Sequence, residues 1–317
     1  PTASEADGTV WYNSTGNALK YSIAGAGTWA AGNAMNTARR WGSSAQIAPT
    51  SAGQIGAGGP ATSPSANTEQ YDGTSWSEVN NMLTATFGKC GTGTQSNAIG
   101  TGNVDTDVES WDGTCWTEVA NINSLRYEAA CAGTGNTSAL VAGGAPNAKV
   151  ITEQWDGTSW TEVGDLGTAR YAVSGGGTAT AALVMGGMPD PTASPFVSLA
   201  NVEEWNGTSW SEKADLTTDR GIGAAAVTDT NNAIYFAGAT LPGGGGGVPY
   251  NQRALTEKYD GTSWTEVGDL ATGRAYANGS GTATAALCFG GGPLPPGGAL
   301  TEEWTDPIYT IKTVTVS

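Results

Sequence analysis

The chain contains no histidine, and only 13% of its 317 residues are charged. Without histidine, neither Ser-His-Asp nor Cys-His nucleophilic machinery can be assembled. The charge that exists is one-sided: 13 Lys and Arg against 29 Asp and Glu give a formal net charge of −16. That balance repels phosphate backbones and anionic lipid, which sets aside nucleic acid and membrane surfaces as partners. No apolar run approaches the roughly 20 residues of a membrane-spanning helix, so membrane insertion is not expected. No signal-peptide pattern is read at the start. Pro1 in first place fits either removal of an initiator methionine or processing from a longer precursor.

Phenylalanine is scarce, with four residues, and no amphipathic helical stretch can be found. Glycine occupies 48 positions instead. Since Gly costs about 1 kcal/mol relative to Ala inside a helix, this composition suits short strands and tight turns. An all-β chain is expected. The four cysteines, Cys90, Cys115, Cys131 and Cys288, show no C-x-x-C spacing and do not recur at matching places, so no zinc site is read from them. They are free or partly buried thiols, or Cys90 and Cys131 bridge neighbouring repeats.

What the chain does have is a repeat. "YDGTSWSEV" (71–79), "WDGTCWTEV" (111–119), "WDGTSWTEV" (155–163), "WNGTSWSEK" (205–213) and "YDGTSWTEV" (259–267) share one frame, and "GAGTWAAG" is a degenerate earlier copy with Trp29 in register. Spacing between Trp29, Trp76, Trp116, Trp160, Trp210 and Trp264 runs from 40 to 54 residues, the period of four-stranded propeller blades. Each period reads as a small-residue strand a, an apolar strand b ending in glycine, a loop of variable length, strand c ("TEQW", 152–155), the turn, and strand d ("SWTEV", 159–163). Strand a carries Gly and Ala because inner strands converge. The large rings of c and d fill the wedge where blades diverge. Asp-Gly is a hairpin signal, so Gly73, Gly113, Gly157, Gly207 and Gly261 are expected at positive φ and the motif is expected to be scaffold.

Paired glycines, an aromatic, then a Trp about five residues later resemble the kelch repeat. So does the stretch after strand d: "GDLGTAR" (164–170), "ADLTTDR" (214–220) and "GDLATGR" (268–274). Blade 2 departs from it, with Thr86 in the Arg place and no glycine pair in "NAIGTG" (97–102). The resemblance implies a single domain over 1–317. In it, 1–20 is a lead-in or closure strand, 21–306 holds the repeats and 307–317 is a closure strand. Six blades are expected, seven being the alternative, with strands from both termini sharing one blade. It also implies a rim of arginines at the channel mouth: Arg39, Arg126, Arg170, Arg220 and Arg274. Such a rim would hold a carboxylate-bearing ligand by bidentate contacts, or would be structural, each Arg pairing with a blade acid such as Glu162 or Glu266 or with loop carbonyls.

Loops between strands b and c, at 59–67, 187–200, 239–254 and 292–299, vary in length and content, as recognition loops on a rigid scaffold do. The Gly243–Gly247 run reads as a loop, because no strand–P-loop–helix context surrounds it. Enzymatic readings fail on residue type. Copper oxidation of the galactose-oxidase kind needs histidine ligands, and the sialidase Asp-box has a different Asp–Trp spacing. Glu203–Glu204 and Glu302–Glu303 sit on strands, where neighbours point to opposite faces. One Asp per turn is too few for calcium. No cofactor and no metal are expected.

The opening "DGTVWYNSTGNALKY" resembles a short module of bacteriophage tail and fibre proteins, and the low-charge blades are similar to kelch-like repeats in marine phage virion proteins. That resemblance implies a non-enzymatic structural protein of the virion surface, tail-associated or head-decorating. Its partners would be other virion proteins and a host surface glycan or receptor. A secreted or cell-surface bacterial kelch module binding carbohydrate is the alternative.

Overall fold

Each Asp-Gly turn folds on local chemistry alone. In the computed structural model, Asp156 Oδ1 accepts from the backbone N–H of Thr158 and of Ser159, both at 2.8 Å. Gly157 takes φ of 96°, which an L side chain rarely adopts. Gly73, Gly113, Gly207 and Gly261 take φ between 90° and 94°. The turn reverses the chain, so Trp155 and Trp160 become cross-strand partners with ring centroids 5.4 Å apart. Equivalent pairs (Tyr71–Trp76, Trp111–Trp116, Trp205–Trp210 and Tyr259–Trp264) lie at 5.0 to 5.5 Å.

The structure describes residues 10–16, 18–24, 27–44, 53–56, 63–102, 105–189, 197–240, 251–292, 298–306 and 309–314. They form an all-β, propeller-like array of antiparallel sheets, with no helix among them. Six sheets have four strands. Strand order runs a-b-c-d in each, as in the third: Ala130–Gly135, Ser138–Ala142, Thr152–Trp155 and Trp160–Glu162. The first sheet begins at Ser43–Ser44, the second at Cys90–Thr94, the fourth at Ser174–Thr178, the fifth at Ala224–Asp229 and the sixth at Asn278–Thr282. A two-stranded ribbon, Ala239–Thr240 with Asn251–Gln252, projects from the fifth sheet's b–c connection.

The terminal segments depart from expectation. The sixth sheet obtains its outer strand from Thr28–Gly32, which pairs with Thr301–Thr305 and sets Trp29 opposite Trp304 at 5.6 Å. The pieces assigned to closure, 1–20 and 307–317, contribute instead to a separate three-stranded sheet of Val10–Asn13, Ala18–Ala24 and Tyr309–Thr313. The reason is aromatic. The edge carrying Trp304 needs a d strand with a ring in register, and Trp29 supplies it.

Burial follows strand position. Strand b is sealed: Leu183, Ile234 and Leu287 are fully buried. Strand a is narrow where sheets crowd, for a Cβ added at Gly175 would lie 2.7 Å from Ala130 Cβ of the preceding sheet. Each d-strand indole also hydrogen-bonds the sheet before its own. Trp116 Nε1 donates to Thr68 Oγ1, Trp160 to Ala120 O, Trp210 to Thr152 Oγ1 and Trp264 to Ala214 O, all at 3.0 to 3.1 Å. Trp29 donates to Thr256 Oγ1 of the fifth sheet, and Trp76, in the first, to Thr301 Oγ1 of the sixth.

Candidate functional site

The five arginines expected at an open rim are sealed from solvent; Arg39, Arg126, Arg170, Arg220 and Arg274 are all 0% exposed. Each is ion-paired to a strand-c glutamate of the following sheet. Arg39 meets Glu69, Arg126 meets Glu153, Arg220 meets Glu257 and Arg274 meets Glu302, while Arg170 Nη2 donates to Glu203 Oε1 at 2.6 Å. Strand c sends its first glutamate inward and the next residue outward, so Glu153, not Glu162, receives Arg126. On the outward face Glu204 takes Lys213 and Glu303 accepts from Tyr71 Oη at 2.5 Å. Each inward carboxylate also accepts backbone N–H groups from the d–a connection: Gly167 and Thr168 on Glu203, Asn123 and Ser124 on Glu153. Burial lowers the pKa of Arg39, Arg126 and Arg170, and the paired carboxylate opposes that shift. A guanidinium held in this way has no face left for a ligand.

In the second repeat Thr86 occupies the Arg place, yet the inward carboxylate is not abandoned. Lys89 Nζ reaches Glu109 Oε1 at 3.1 Å, with both side chains buried. A longer approach from three residues downstream restores the pair, because an uncompensated buried carboxylate is costly.

The Asp-Gly turns engage their own carboxylates. Asp72, Asp112, Asp156 and Asp260 are held below the usual carboxylate range by the two backbone N–H groups they accept. Among the described residues no group of three or more potential metal ligands occurs. The b–c loops are only partly described, since 57–62, 190–196, 241–250 and 293–297 lie outside the described residues. The Gly243–Gly247 run is among them.

The inner strands meet around a cavity of about 100 Å³. Its entrance is built by one residue per repeat, two places after the Arg position: Trp41, Gly88, Glu128, Ala172, Ile222 and Tyr276. All six have φ between 51° and 72°. Their amides run in series: Gly88 N–H donates to Trp41 O, Glu128 to Gly88 O, Val173 to Glu128 O, Ile222 to Ala172 O, Tyr276 to Ile222 O and Trp41 to Tyr276 O. The series returns to its start. Backbone is therefore equivalent at six positions while the side chains differ, which is the reverse of the Asp-Gly motif. Sequence reasoning missed these residues, although the variable place two residues past each "TAR"-like signal was there to read.

No family model matches this chain, and no curated protein matches it. Together the repeated sheets and their sealed ion pairs define an all-β, propeller-like scaffold. The solved structure of YjhT aligns with it at a TM-score of 0.67, covering 90% of this chain and 99% of its own, with 13% sequence identity. At that identity the likeness concerns the fold alone.

Proposed function

We propose that the six four-stranded sheets are blades of one closed, kelch-like propeller, and that the protein is a non-enzymatic structural component of a bacteriophage virion surface. The reading of six blades is supported by the indole contacts, which lead from each sheet to the one before and from the first back to the sixth. One observation supports the non-catalytic reading: the repeated arginines and the turn aspartates are already engaged in the scaffold, arginine by glutamate and aspartate by its own turn. The phage assignment rests on the opening "DGTVWYNSTGNALKY" and the low-charge blades. The variable b–c loops would then contact other virion proteins or a host surface glycan or receptor. Locating the chain by mass spectrometry and electron cryo-microscopy in purified particles tests this; absence from the particles removes it.

A second reading, a secreted or cell-surface bacterial kelch module binding carbohydrate, is favoured by one observation. Cys90 and Cys131 form a disulfide between inner strands of adjacent sheets, and such bonds persist in oxidising compartments. A glycan array without hits overturns this second reading.

A further inference from the structure

Five of the six places at the cavity entrance carry uncharged residues; the sixth is Glu128. Its carboxylate makes no hydrogen bond or ion pair among the described residues, unlike the inward glutamate of any sheet. Half-buried and without a compensating cation, it has its pKa pushed up to about 7 by desolvation. Its neighbours around the entrance are the small residues Gly88 and Ala172. Three steps around the series stands Tyr276, whose ring packs edge-on against Trp41 with centroids 4.3 Å apart. The cavity lining thus includes one carboxylate flanked by small residues, and the Trp41–Tyr276 pair elsewhere on its rim.

Lys89 is the other charged side chain lining the cavity, and Glu109 holds it. The Trp41 ring is already taken by a cation of the protein itself, since the Arg40 guanidinium lies 3.9 Å from its centroid and 5.6 Å from that of Tyr276, which leaves the Glu128 carboxylate as the group to hold an incoming ammonium. Carboxylate and ring faces both attract positive charge. At about 100 Å³ the cavity falls well below the roughly 300–1,000 Å³ of pockets for drug-sized ligands. It suits the tip of a chain better than a sugar ring. The net charge of −16 draws cations toward the molecule.

We infer that this entrance is a binding site for a primary ammonium group, seated against the Glu128 carboxylate in the cavity that Trp41 and Tyr276 also line. The ammonium comes from a free alkylamine or from a lysine side chain of a partner that inserts into the cavity. This assignment is independent of the virion reading, because it depends on the entrance alone.

Titration with n-butylamine, Nα-acetyl-lysine-N-methylamide and the uncharged Nα-acetyl-norleucine-N-methylamide, followed by calorimetry and Trp fluorescence, tests it. Both ammonium probes are expected to bind and compete, with the norleucine probe at least tenfold weaker. Binding of the lysine probe alone assigns the site to a side chain; equal binding of both assigns it to the ammonium itself, and either result supports the proposal. Glu128→Gln should weaken the lysine probe at least tenfold. Affinity of the wild-type chain should rise between pH 6 and pH 8 as Glu128 ionises, and should be flat in E128Q. Of the groups around Glu128, Lys89 is held by Glu109, and Cys90 and Cys131 are bonded to each other and do not titrate. Tyr276 lines the same cavity, and Arg40, packed against Trp41 and Tyr276, is the other charged group at that end. Equal binding of the norleucine probe, unchanged binding by E128Q, or an affinity that is flat or falling between pH 6 and pH 8 in the wild-type chain would overturn the assignment. The pH series on the wild-type protein decides the matter even where a variant fails to fold.

Discussion

Arg170 Nη2 donates to Glu203 Oε1 at 2.6 Å, across the connection that joins the third sheet to the fourth. Neither side chain sees appreciable solvent. The same relationship recurs in five repeats as Arg–Glu and in the second as Lys89–Glu109. Each pair fastens the entry of strand a to strand c of the same sheet.

Arg170→Ala should therefore destabilise by about 3–5 kcal/mol, because Glu203 would stay buried and unpaired. Adding Glu203→Leu should recover only part of this. The carboxylate also accepts from Gly167 and Thr168 N–H, which would lose their acceptor. Urea unfolding of the two singles and the double should give a double-mutant cost smaller than the sum. Additive costs would show that the pair is not coupled.

Trp160 separates packing from polarity. Trp160→Phe keeps a ring against Trp155 and removes the donor to Ala120 O, costing about 1 kcal/mol. Trp160→Ala also opens a cavity between sheets and should cost about 3–5 kcal/mol. No loss for Trp160→Phe, measured by thermal unfolding, would contradict the inter-sheet hydrogen bond, and equal losses for the two would contradict the packing role.

The Asp-Gly turns predict the acid limb of stability. Their aspartate pKa values are depressed in the folded state by backbone N–H donors. The stabilisation is therefore present above the unfolded carboxylate pKa and lost as pH falls through the folded one. The fourth turn carries a built-in control. Asn206 accepts from Thr208 and Ser209 N–H at 2.9 and 3.0 Å without titrating. Changing Asp72, Asp112, Asp156 and Asp260 to Asn should flatten the loss of thermal stability below the carboxylate range while leaving neutral-pH stability nearly unchanged.

Cys90 and Cys131 close a loop across a sequence separation of 41, so reduction should cost about 2–4 kcal/mol. Without reductant, Ellman's reagent should count the half-buried Cys115 in the native protein. Cys288, buried and with its pKa pushed up to about 11, should appear only on unfolding. Four thiols in denaturant without reductant would refute the bridge.

The repeat frame was legible because turns and strands are local. Asp156-Gly157 specifies its hairpin within four residues, and Trp160 follows by alternation. The opposite facing of Glu203 and Glu204 agrees with the sequence reading, and the Cys90–Cys131 bridge is one of the two alternatives that reading left open for these cysteines. The arginines were recognised, and of the two settings left open the structure shows pairing with a blade acid, but the acid is a strand-c glutamate such as Glu153 in place of Glu162. A repeated Arg reads the same whether it lines a rim or lies sealed beneath the surface, and several acids per period offer themselves as partners. Thr86 looked like a gap until Lys89 was seen to fill it through space.

Turn type and the aromatic pairing of strands c and d in the first five sheets came from the sequence by itself, since both depend on neighbours within about ten residues. Tertiary structure alone decided that Thr28–Gly32 completes the sixth sheet, that Glu153 receives Arg126, and that Glu128 lines the same cavity as Trp41 and Tyr276. Those relationships join residues tens to hundreds of places apart, brought together by packing between sheets. A periodic sequence does not distinguish among the equivalent partners that such packing could choose.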